Sequence, residues 1–564
     1  MEMISYICNP LSEPFDYETV SDCLRRYAQN TPDKEAIVFY SPDLSRRSIT
    51  FADIYKNACT TARGLIALGI RPGEVVGLGL SNVPEWIYCH FGILLAGAVT
   101  LGYPYFAKNG SNIVQALNQS EKCTAIIFDT GENKEKVEII SNIIQSTDEK
   151  GNISKSSINS LKFAIRVGAD DIGNFPFTLR SLQKLGGENS HLILPVLSPD
   201  DVCVIILSSG TTGHCKLIPK THFHISSIKQ MTNHVLRLQA DDILFNASPF
   251  LWIGGYVTSL LNFGHKLVTV TNLLKFKSNR QFAELAVHVI EKEQCTIAGM
   301  YGPALLELLD DKHLKCSHFP LKCVITGGFP LSKAYAAVVG NIARHFVNAY
   351  GSTELGSICY TDISSKEEFQ DYIAGYPVKG IELKVVDENG QVCPRNMMGE
   401  VYVRSTVRFL GYVHDQDNTN KVLDNSGWFR TNDSGYLRDD DQLVVTGRMS
   451  DVIIVGGTKV SPVNLENIIS SHPDILAVVV IAIEDKAMFQ EACACLIKKP
   501  DSTVLWENIK DFIENKSIAK QESIYFRVLI PKYHIFVDSF PRTASGKVAK
   551  KLLKEDVLKA LKLS

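Results

Sequence analysis

Short apolar runs alternate with segments of helical periodicity through the first three-fifths of the chain. Runs rich in β-branched side chains are typical of buried strands, and they occupy residues 36–39, 75–80, 125–128, 202–207, 266–270 and 323–326. Between them, residues 51–69 and 84–96 have helical patterns, and residues 98–101 form one more strand candidate. Strands that alternate with helices predict parallel sheets covered by helices on both faces.

Two stretches depart from this pattern. Residues 133–160 are polar and charged, which predicts an exposed insertion. Residues 361–447 contain short strands separated by turns, for example 382–386 and 399–403, and they predict a small antiparallel sheet or barrel. After Arg448 a mixed α/β pattern returns and ends in a lysine-rich helix.

Composition narrows the class of protein. The 564 residues are 45% hydrophobic, which is enough for a sizeable core, and the net charge of −3 gives no reason to expect a nucleic acid as partner. Fourteen cysteines without a Cys-x-x-Cys pair predict a reduced, intracellular chain. Residues 86–107 carry no formal charge, but glycines and a proline interrupt them, so we expect a helix and a strand and no membrane span. No signal peptide is recognisable.

A glycine- and hydroxyl-rich stretch follows the strand predicted at residues 202–207. Its glycines allow backbone N–H groups to approach one anion, and its hydroxyls and its lysine add further donors. The stretch predicts a polyphosphate site, with a flexible linker as the alternative, and it lacks the Gly-Lys-Ser/Thr ending of a Walker loop. Its candidate residues are Ser208, Ser209, Gly210, Thr211, Thr212, Gly213 and Lys216.

Three further stretches carry candidate chemistry. In residues 348–354, Tyr350 offers a surface on which a base can stack and Glu354 offers an oxygen ligand for Mg²⁺, although a surface turn is the alternative. Farther on, Asp433 and Arg448 could hold ribose hydroxyls and a phosphate. Near the end, residues 541–547 form a turn that presents Lys547, which by itself could equally be a solvated surface lysine.

Taken together and in this order, these stretches resemble the adenylate-forming superfamily of acyl- and aryl-CoA ligases, luciferases and peptide-synthetase adenylation domains. Residues 248–255, 327–331 and 450–462 add to the resemblance, which extends from Tyr17 to Leu553 and is strongest to the coumarate–CoA ligase and luciferase-like branch. It implies an α/β fold with a large N-terminal AMP-binding domain, residues 1–448, made of two helix-covered sheets and a β-barrel. A small mobile α+β lid domain, residues 449–564, would follow a hinge near Ser450.

The resemblance also implies a mechanism. A carboxylate attacks the α-phosphorus of MgATP to give acyl-AMP and pyrophosphate, and the thiol of CoA then attacks the carbonyl of the adenylate. The resemblance implies that the phosphates are bound by Thr211, Thr212, Gly213 and Lys216. It implies adenine binding by Gly328 and Tyr350 beside Gly351 and Ser352, α-phosphate contact by Thr353, and Mg²⁺ binding by Glu354. The ribose would be bound by Asp433 and Arg448, and Lys547 would bridge the carboxylate and the α-phosphate. The CoA side and the hinge would involve Ser450, Gly456, Gly457 and Lys459.

The chain departs from the family pattern at four positions in or beside these motifs. Cys215 and Leu217 replace the usual proline and glycine of the phosphate loop, Asn432 replaces a glycine before Asp433, and Ser450 replaces a lysine or aspartate. None of these changes removes a charged group assigned to the chemistry, so we expect an active enzyme.

Two aromatic residues bear on the acid. Trp252 and Phe329 stand where relatives often have histidine and alanine, at positions that border the acyl tunnel. They predict a narrowed pocket and a short- to medium-chain aliphatic or small aromatic acid, unless both rings only pack the wall. Gly351 argues in the opposite direction, because acetate-activating relatives tend to have a bulky residue there.

Other functions share these motifs. A luciferase-like monooxygenase would oxidise its adenylate, and a non-catalytic relative would only bind nucleotide. The identity of the acid, a thiol acceptor other than CoA, and a monomeric or dimeric state stay open at this point. We expect a cytoplasmic protein, since the chain ends in Lys-Leu-Ser and not in the peroxisomal Ser-Lys-Leu.

Overall fold

The computed structural model describes most of the chain. The described residues are 3–103, 110–129, 134–168, 175, 177–209, 215–256, 264–272, 276, 278–300, 302–310, 321–328, 333–370, 372–455, 458–460, 462–519, 530–542 and 548–562. They form two compact units, a larger one of Cys8–Glu382 with Arg404–Trp428 and a smaller one of Met1–Ile7, Leu383–Val403 and Phe429–Ser564. Within the described residues, no helix is both long and apolar enough to cross a membrane.

The larger unit alternates strands and helices along the chain. Its strands are β1 (Tyr6–Asn9, which starts in the smaller unit), β2 (Glu35–Tyr40), β3 (Arg46–Thr50), β4 (Val75–Gly79), β5 (Val99–Gly102), β6 (Cys123–Asp129), β7 (Ile144–Thr147), β8 (Ile153–Ser156), β9 (Phe163–Val167), β10 (Phe177–Thr178), β11 (Val202–Ser209), β12 (Cys215–Thr221), β13 (Ile243–Asn246), β14 (Lys266–Val270), β15 (Ile297–Gly299), β16 (Leu321–Gly327), β17 (Ala343–Ser352), β18 (Gly356–Ile363) and β19 (Ile373–Pro377). Its helices are α1 (Val20–Asn30), α2 (Phe51–Ala67), α3 (Pro84–Leu95), α4 (Ser111–Gln119), α5 (Lys134–Ile143), α6 (Leu179–Glu188), α7 (His222–Leu236), α8 (Ile253–Gly255), α9 (Asn279–Glu293), α10 (Gly302–Asp310), α11 (Val338–Asn341) and α12 (Gln416–Val422), with 3₁₀ turns at Lys333–Ala337 and Lys366–Glu368.

These strands build two mostly parallel arrays, as the apolar runs predict. The first has the order β10-β9-β6-β4-β5-β11-β12 and is parallel except for the β11–β12 hairpin. The second has the order β3-β2-β14-β13-β15-β16-β17-β18-β19 and is parallel from β2 to β17. Antiparallel neighbours close both of its ends. The predicted α/β class is therefore confirmed.

The uncharged stretch at residues 86–107 folds as expected, into a helix followed by a strand. Helix α3 starts with a proline at its first turn, and its residues are buried apart from the partly exposed Glu85. Strand β5, which follows it, lies inside the first array. Burial inside the protein thus explains the apolar composition that resembles a membrane span.

The prediction of an exposed insertion at residues 133–160 is wrong for part of this stretch. This stretch forms α5 and the β7–β8 hairpin, and Ile140, Ile143, Ile144 and Ile158 are buried in the core beside the first array. These isoleucines come from different elements and meet in one core cluster, and the many polar residues between them hide them in the overall composition.

The smaller unit carries antiparallel strands and a second core. Its elements are β20 (Ile381–Val386), β21 (Gly399–Ser405), β22 (Phe429–Leu437), β23 (Leu443–Arg448), β24 (Ile453–Val455), β25 (Thr458–Val460), α13 (Pro462–Ser470), β26 (Ile475–Asp485), β27 (Phe489–Lys498), α14 (Trp506–Ala519), β28 (Tyr533–Phe536) and α15 (Lys550–Ala560), with a 3₁₀ turn at Met449–Asp451. The antiparallel β21–β22–β23 set agrees with the prediction for residues 361–447.

A sheet of order β25-β24-β27-β26, with β28 beside β27, forms the rest of this unit. Cys493 and Cys495 alternate along β27 and face one side, where they pack with Leu553 and Val557 of α15. Side chains on the opposite face pack with α13 and α14. The domain boundary between residues 448 and 449 stays a prediction.

Candidate active site

The proposed phosphate loop joins the two strands of the β11–β12 hairpin. Ser208 lies opposite Lys216 and Ser209 lies opposite Cys215, so both ends of the loop are fixed by the strand pairing. Lys216 therefore starts from a regular strand. The candidates between the strands, Gly210, Thr211, Thr212 and Gly213, lie outside the described residues.

Leu217 has a structural reason for replacing the usual glycine. Its side chain is completely buried in the core of the first array, and its carbonyl accepts a hydrogen bond from the N–H of Val413 at 3.0 Å. Strand β12 is the edge strand of this array. Pro219, which has no N–H group, is tolerated there because an edge strand has no neighbour on its outer side. The departure thus anchors the strand that carries Lys216.

The β17–β18 hairpin presents the second group of candidates. Tyr350, Gly351 and Ser352 end β17, and the connection to β18 carries Thr353 and Glu354. A Cβ atom on Gly351 would lie 2.1 Å from the carbonyl oxygen of Gly356. This backbone contact requires glycine whatever the size of the acyl pocket, so Gly351 says little about that size.

Lys216 and Glu354 are linked through Tyr412, which no sequence motif identified. The Lys216 ammonium lies 4.6 Å from the centre of the Tyr412 ring and 3.4 Å from its hydroxyl. That hydroxyl donates to Glu354 Oε1 at 2.8 Å. Among the described residues, neither Lys216 nor Glu354 forms an ion pair, so the tyrosine connects a cation and a carboxylate that do not meet directly.

Tyr412 is held by its own surroundings. Its backbone N–H donates to Thr419 Oγ1 at 2.9 Å, and its ring lies 4.9 Å from that of Phe409. The side chain is almost completely buried. Sequence reasoning had no signal for this residue, because its partners are far away along the chain and the residues around it form no recognised motif.

Lys220 is a second residue that sequence reasoning missed. It is completely buried at the end of β12, and its ammonium donates to the backbone carbonyl of Glu354 at 2.5 Å. Burial lowers the pKa of Lys220 to about 7, and the nearby charge of Glu354 partly offsets this. A lysine in the otherwise apolar run after Lys216 was the available signal.

The donor set around Glu354 fits a magnesium ion. Oε1 accepts from Tyr412, whereas none of the described residues donates to Oε2. Mg²⁺ prefers hard oxygen ligands and is commonly held by one or two carboxylates together with substrate phosphates. The site therefore offers the kind of ligand that MgATP requires.

The acyl-pocket candidates follow the carboxyl ends of parallel strands. Trp252 comes after β13 and caps the short helix α8, and Gly328 comes directly after β16 with a φ of 82°. Because β13, β15, β16 and β17 run parallel, these residues and the end of β17 share one edge of the sheet. Trp252 is partly exposed, and Phe329 lies outside the described residues.

Asp433 and Arg448 form a pair in the smaller unit. They lie opposite each other on β22 and β23, with Arg448 Nε 3.1 Å from Asp433 Oδ1, and Arg448 also donates to the carbonyl of Thr431 at 2.8 Å. Asn432 has a φ of 60°, which asparagine tolerates better than most residues. This left-handed conformation explains why asparagine can replace the family's glycine.

The hinge candidate lies in the exposed 3₁₀ turn Met449–Asp451. Ser450 Oγ donates to Asp451 Oδ1 at 3.3 Å, and Lys550 at the start of α15 donates to Asp451 Oδ2 at 2.8 Å. The chain just before Lys550 carries Lys547, which lies outside the described residues, as do Gly456 and Gly457. Lys459 is placed by its backbone on β25, opposite Ile454.

Comparisons with known proteins agree with this architecture. Residues 24–413 match the AMP-binding enzyme family, and residues 464–547 match the AMP-binding enzyme C-terminal domain. The chain is 26% identical to medium-chain acyl-CoA ligase ACSF2 of Danio rerio, covering 99% of this chain and 91% of that protein. It is 27% identical to 4-coumarate–CoA ligase 2 of Nicotiana tabacum, covering 90% of each. The crystal structure of the anthranilate CoA ligase AuaEII with anthranoyl-AMP matches at a TM-score of 0.80 with 24% identity, over 96% of this chain and 98% of that chain.

The chain therefore belongs to the AMP-binding enzyme family, because the match to that family covers more than half of the chain. Its activity is that of an AMP-forming acid–CoA ligase, with ATP and CoA as co-substrates.

Proposed function

We propose that this ligase activates a short- to medium-chain aliphatic or small aromatic carboxylic acid as its acyl-AMP and passes the acyl group to the thiol of CoA. The observation that carries the proposal is the Lys216–Tyr412–Glu354 chain, which holds one cation and one carboxylate side by side without neutralising either. A polyphosphate that brings a metal ion needs both of these groups.

The phosphate end of ATP would approach Lys216 and the loop before it. The Lys216 ammonium lies over the neutral ring of Tyr412, and it forms no ion pair with a carboxylate of the described residues. It can therefore turn to phosphate oxygens without first breaking an ion pair of that kind. Glu354, with Ser352 and Thr353 beside it, would hold Mg²⁺, which when bound offsets the charge of the phosphates. Tyr412 keeps the lysine and the carboxylate at a fixed separation.

The nucleoside end would be held by the remaining candidates. Gly328 and Tyr350 would border the adenine, and Asp433 would accept hydrogen bonds from the ribose hydroxyls while Arg448 orients it. Lys547 would bring the acid carboxylate and the α-phosphate together, two anions that otherwise repel each other. The acid is already ionised at neutral pH, so the first step needs no general base.

The CoA step would use a different set. A change in backbone direction at Ser450 would move the Lys547 segment away and bring the Lys459 strand with Gly456 and Gly457 to the acyl-AMP. The thiol would lose its proton to solvent and its sulfur would form a bond to the carbonyl carbon, while the bond between that carbon and the phosphate oxygen would break to release AMP.

The narrowing of the acyl pocket rests on Trp252 and Phe329. Each methylene that fits adds up to about 0.8 kcal/mol of favourable transfer, so preference should rise with chain length and fall once the aromatic rings are reached. Trp252→Ala should extend the longest acid accepted. The control for a general effect of side-chain truncation is Leu410→Ala, since Leu410 is an exposed residue of the same unit. Trp428→Ala is unsuitable as a control because Arg404 lies over the Trp428 ring.

The test is pyrophosphate exchange measured with a panel of carboxylic acids, followed by thioester formation with CoA. We expect exchange that depends on a short, medium-chain or small aromatic acid, and a thioester product with the same preference. A preference for long-chain acids in the unmutated enzyme would overturn the proposed substrate class. Light emission with luciferin, ATP and O₂ in the absence of CoA would instead indicate a luciferase.

A further inference from the structure

The buried ammonium of Lys220 has no part in the roles given so far. Lys220 is completely buried near the end of β12, directly before helix α7, and lysine is rarely found buried without a specific partner. It donates to the carbonyl oxygen of Glu354, which lies on a hairpin 134 residues farther along the chain. A buried charge at this position lowers folding stability, and the bond to the Glu354 carbonyl offsets part of that cost.

The contacts around Lys220 place its ammonium against the turn that carries Glu354. Thr221, the residue after Lys220, caps the N-terminus of helix α7. Gly356 at the start of β18 packs closely against Ile228 of this helix. The β17–β18 hairpin therefore rests on α7, and the Lys220 ammonium reaches the turn at its tip. The neighbouring imidazole of His224 has a pKa lowered by burial to about 4, so it adds no competing positive charge near neutral pH.

Glu354 is thus held at two points. Lys220 binds its backbone carbonyl at 2.5 Å, and Tyr412 binds one oxygen of its carboxylate at 2.8 Å. The pairing of Ser352 with Gly356 already closes the hairpin, so the Lys220 bond adds an anchor at the Glu354 peptide and the Tyr412 bond adds one at its side chain. Together, the two contacts set where the remaining carboxylate oxygen lies.

We propose that Lys220 is a positioning residue that fixes the Glu354 turn and thereby sets the affinity of the site for the divalent cation of MgATP. The proposal rests on the metal-binding role proposed for Glu354. In its protonated form, Lys220 donates a charge-assisted hydrogen bond to the Glu354 carbonyl, a stronger bond than a neutral donor would form. Lys220 touches neither substrate nor metal, and it acts through Glu354.

The test compares Lys220→Met and Lys220→Leu with Lys266→Met. Methionine and leucine keep an apolar side chain in the buried space and remove the ammonium. Lys266 is the matched control, because it is a partly buried lysine of the same unit whose partner is the remote Glu293 at 2.9 Å. Pyrophosphate exchange is measured against Mg²⁺ concentration, and Mn²⁺ binding with a non-hydrolysable ATP analogue is measured by electron paramagnetic resonance.

Both Lys220 variants should need roughly tenfold more Mg²⁺ for half-maximal exchange and bind Mn²⁺ weaker by a similar factor, the scale of one lost hydrogen bond to a charged group. Lys266→Met should keep both midpoints. Partial unfolding lowers the plateau of exchange but does not move the midpoint, so a purely structural role of Lys220 would be seen as a lower plateau alone.

Unchanged Mg²⁺ and Mn²⁺ midpoints in both Lys220 variants would overturn the positioning role. An equal shift in Lys266→Met would overturn it as well, since the effect would then be general. Absence of exchange by the unmutated enzyme with every acid would count against the proposed function, and the Mn²⁺ binding measurement would still decide the role of Lys220.

Discussion

The larger unit contains two sets of lysine, tyrosine and glutamate that differ in how the carboxylate is satisfied. In the set formed by Lys216, Tyr412 and Glu354, one carboxylate oxygen accepts one bond, from the neutral tyrosine hydroxyl. The other set consists of Lys266, Tyr40 and Glu293.

Cations saturate the carboxylate in the second set. Glu293 Oε1 accepts from Tyr40 at 2.7 Å and from Arg46 Nε at 2.7 Å, while Oε2 accepts from Lys266 at 2.9 Å. These contacts join β2, β3, β14 and α9, and Glu293 itself is nearly buried. Burial by itself would raise the pKa of Glu293, but the bonds from Arg46, Tyr40 and Lys266 outweigh it and lower the pKa to about 2.

The same three residue types thus serve different ends in the two places. A carboxylate whose oxygens are all occupied by cations stabilises the fold and has nothing left for a ligand. Glu354 keeps an oxygen to which no described residue donates, and Lys216 forms no ion pair with a described residue, so both can respond to a substrate. Matched substitutions in the two sets should therefore separate activity from stability.

The largest difference is expected for the lysines. Lys216→Met should lower kcat/KM for ATP in pyrophosphate exchange by roughly 10²- to 10³-fold, the scale of removing one preorganised donor to developing charge. Lys266→Met should keep this rate and lower the unfolding midpoint in urea. The comparison would fail if the two variants lost activity to the same extent.

The next difference concerns acid stability. The pKa of Glu293 is about 2 in the folded protein against an ordinary 4.5, so its stabilising contribution is complete above about pH 5 and is lost as the pH falls towards 2. Glu293→Gln should remove about 3 kcal/mol of stability at neutral pH and flatten the pH dependence below pH 5.

Urea unfolding of both proteins at neutral pH and at successively lower pH measures this effect. Glu354→Gln is the matched control, because Glu354 has no cation bound to its carboxylate among the described residues. Its exchange activity should fall without the loss of stability at neutral pH expected for Glu293→Gln. An unchanged acid sensitivity in Glu293→Gln would show that the cations do not stabilise the fold through this carboxylate.

The parts of the fold that follow from local pattern could be predicted from the sequence. Strands such as β4, β6 and β14 are continuous apolar runs, and the α3–β5 segment is recognisable from its interrupting glycines and proline. The stretch with Ile140 and Ile158 was misjudged because its polar residues outnumber the isoleucines that reach the core.

Candidate site residues could be named from the sequence only where a recognisable motif existed. Lys216 and Glu354 were named in this way and their roles stay predictions, whereas their connection through Tyr412 could not be predicted. Tyr412 lies 196 residues from Lys216 and 58 from Glu354, and neither periodicity nor composition reports a contact over such a distance. Asn432 is intermediate, since its exchange for glycine was visible but its reason, a positive φ, is a property of the folded backbone.

The smallest difference is expected for the tyrosine hydroxyls. Tyr412→Phe keeps the ring on which the Lys216 ammonium lies and removes the hydroxyl that bonds to Glu354 and Lys216, so exchange should slow by roughly tenfold, the value of one hydrogen bond to a charged group. Tyr40→Phe removes an equivalent bond to Glu293 at 2.7 Å and should keep the exchange rate while lowering stability by about 1–2 kcal/mol. Exchange kinetics and urea unfolding, measured on both variants, give the two readouts. Equal effects of the two substitutions on exchange would mean that the Tyr412 hydroxyl does not organise the site, and that the direct contact between ring and ammonium is sufficient.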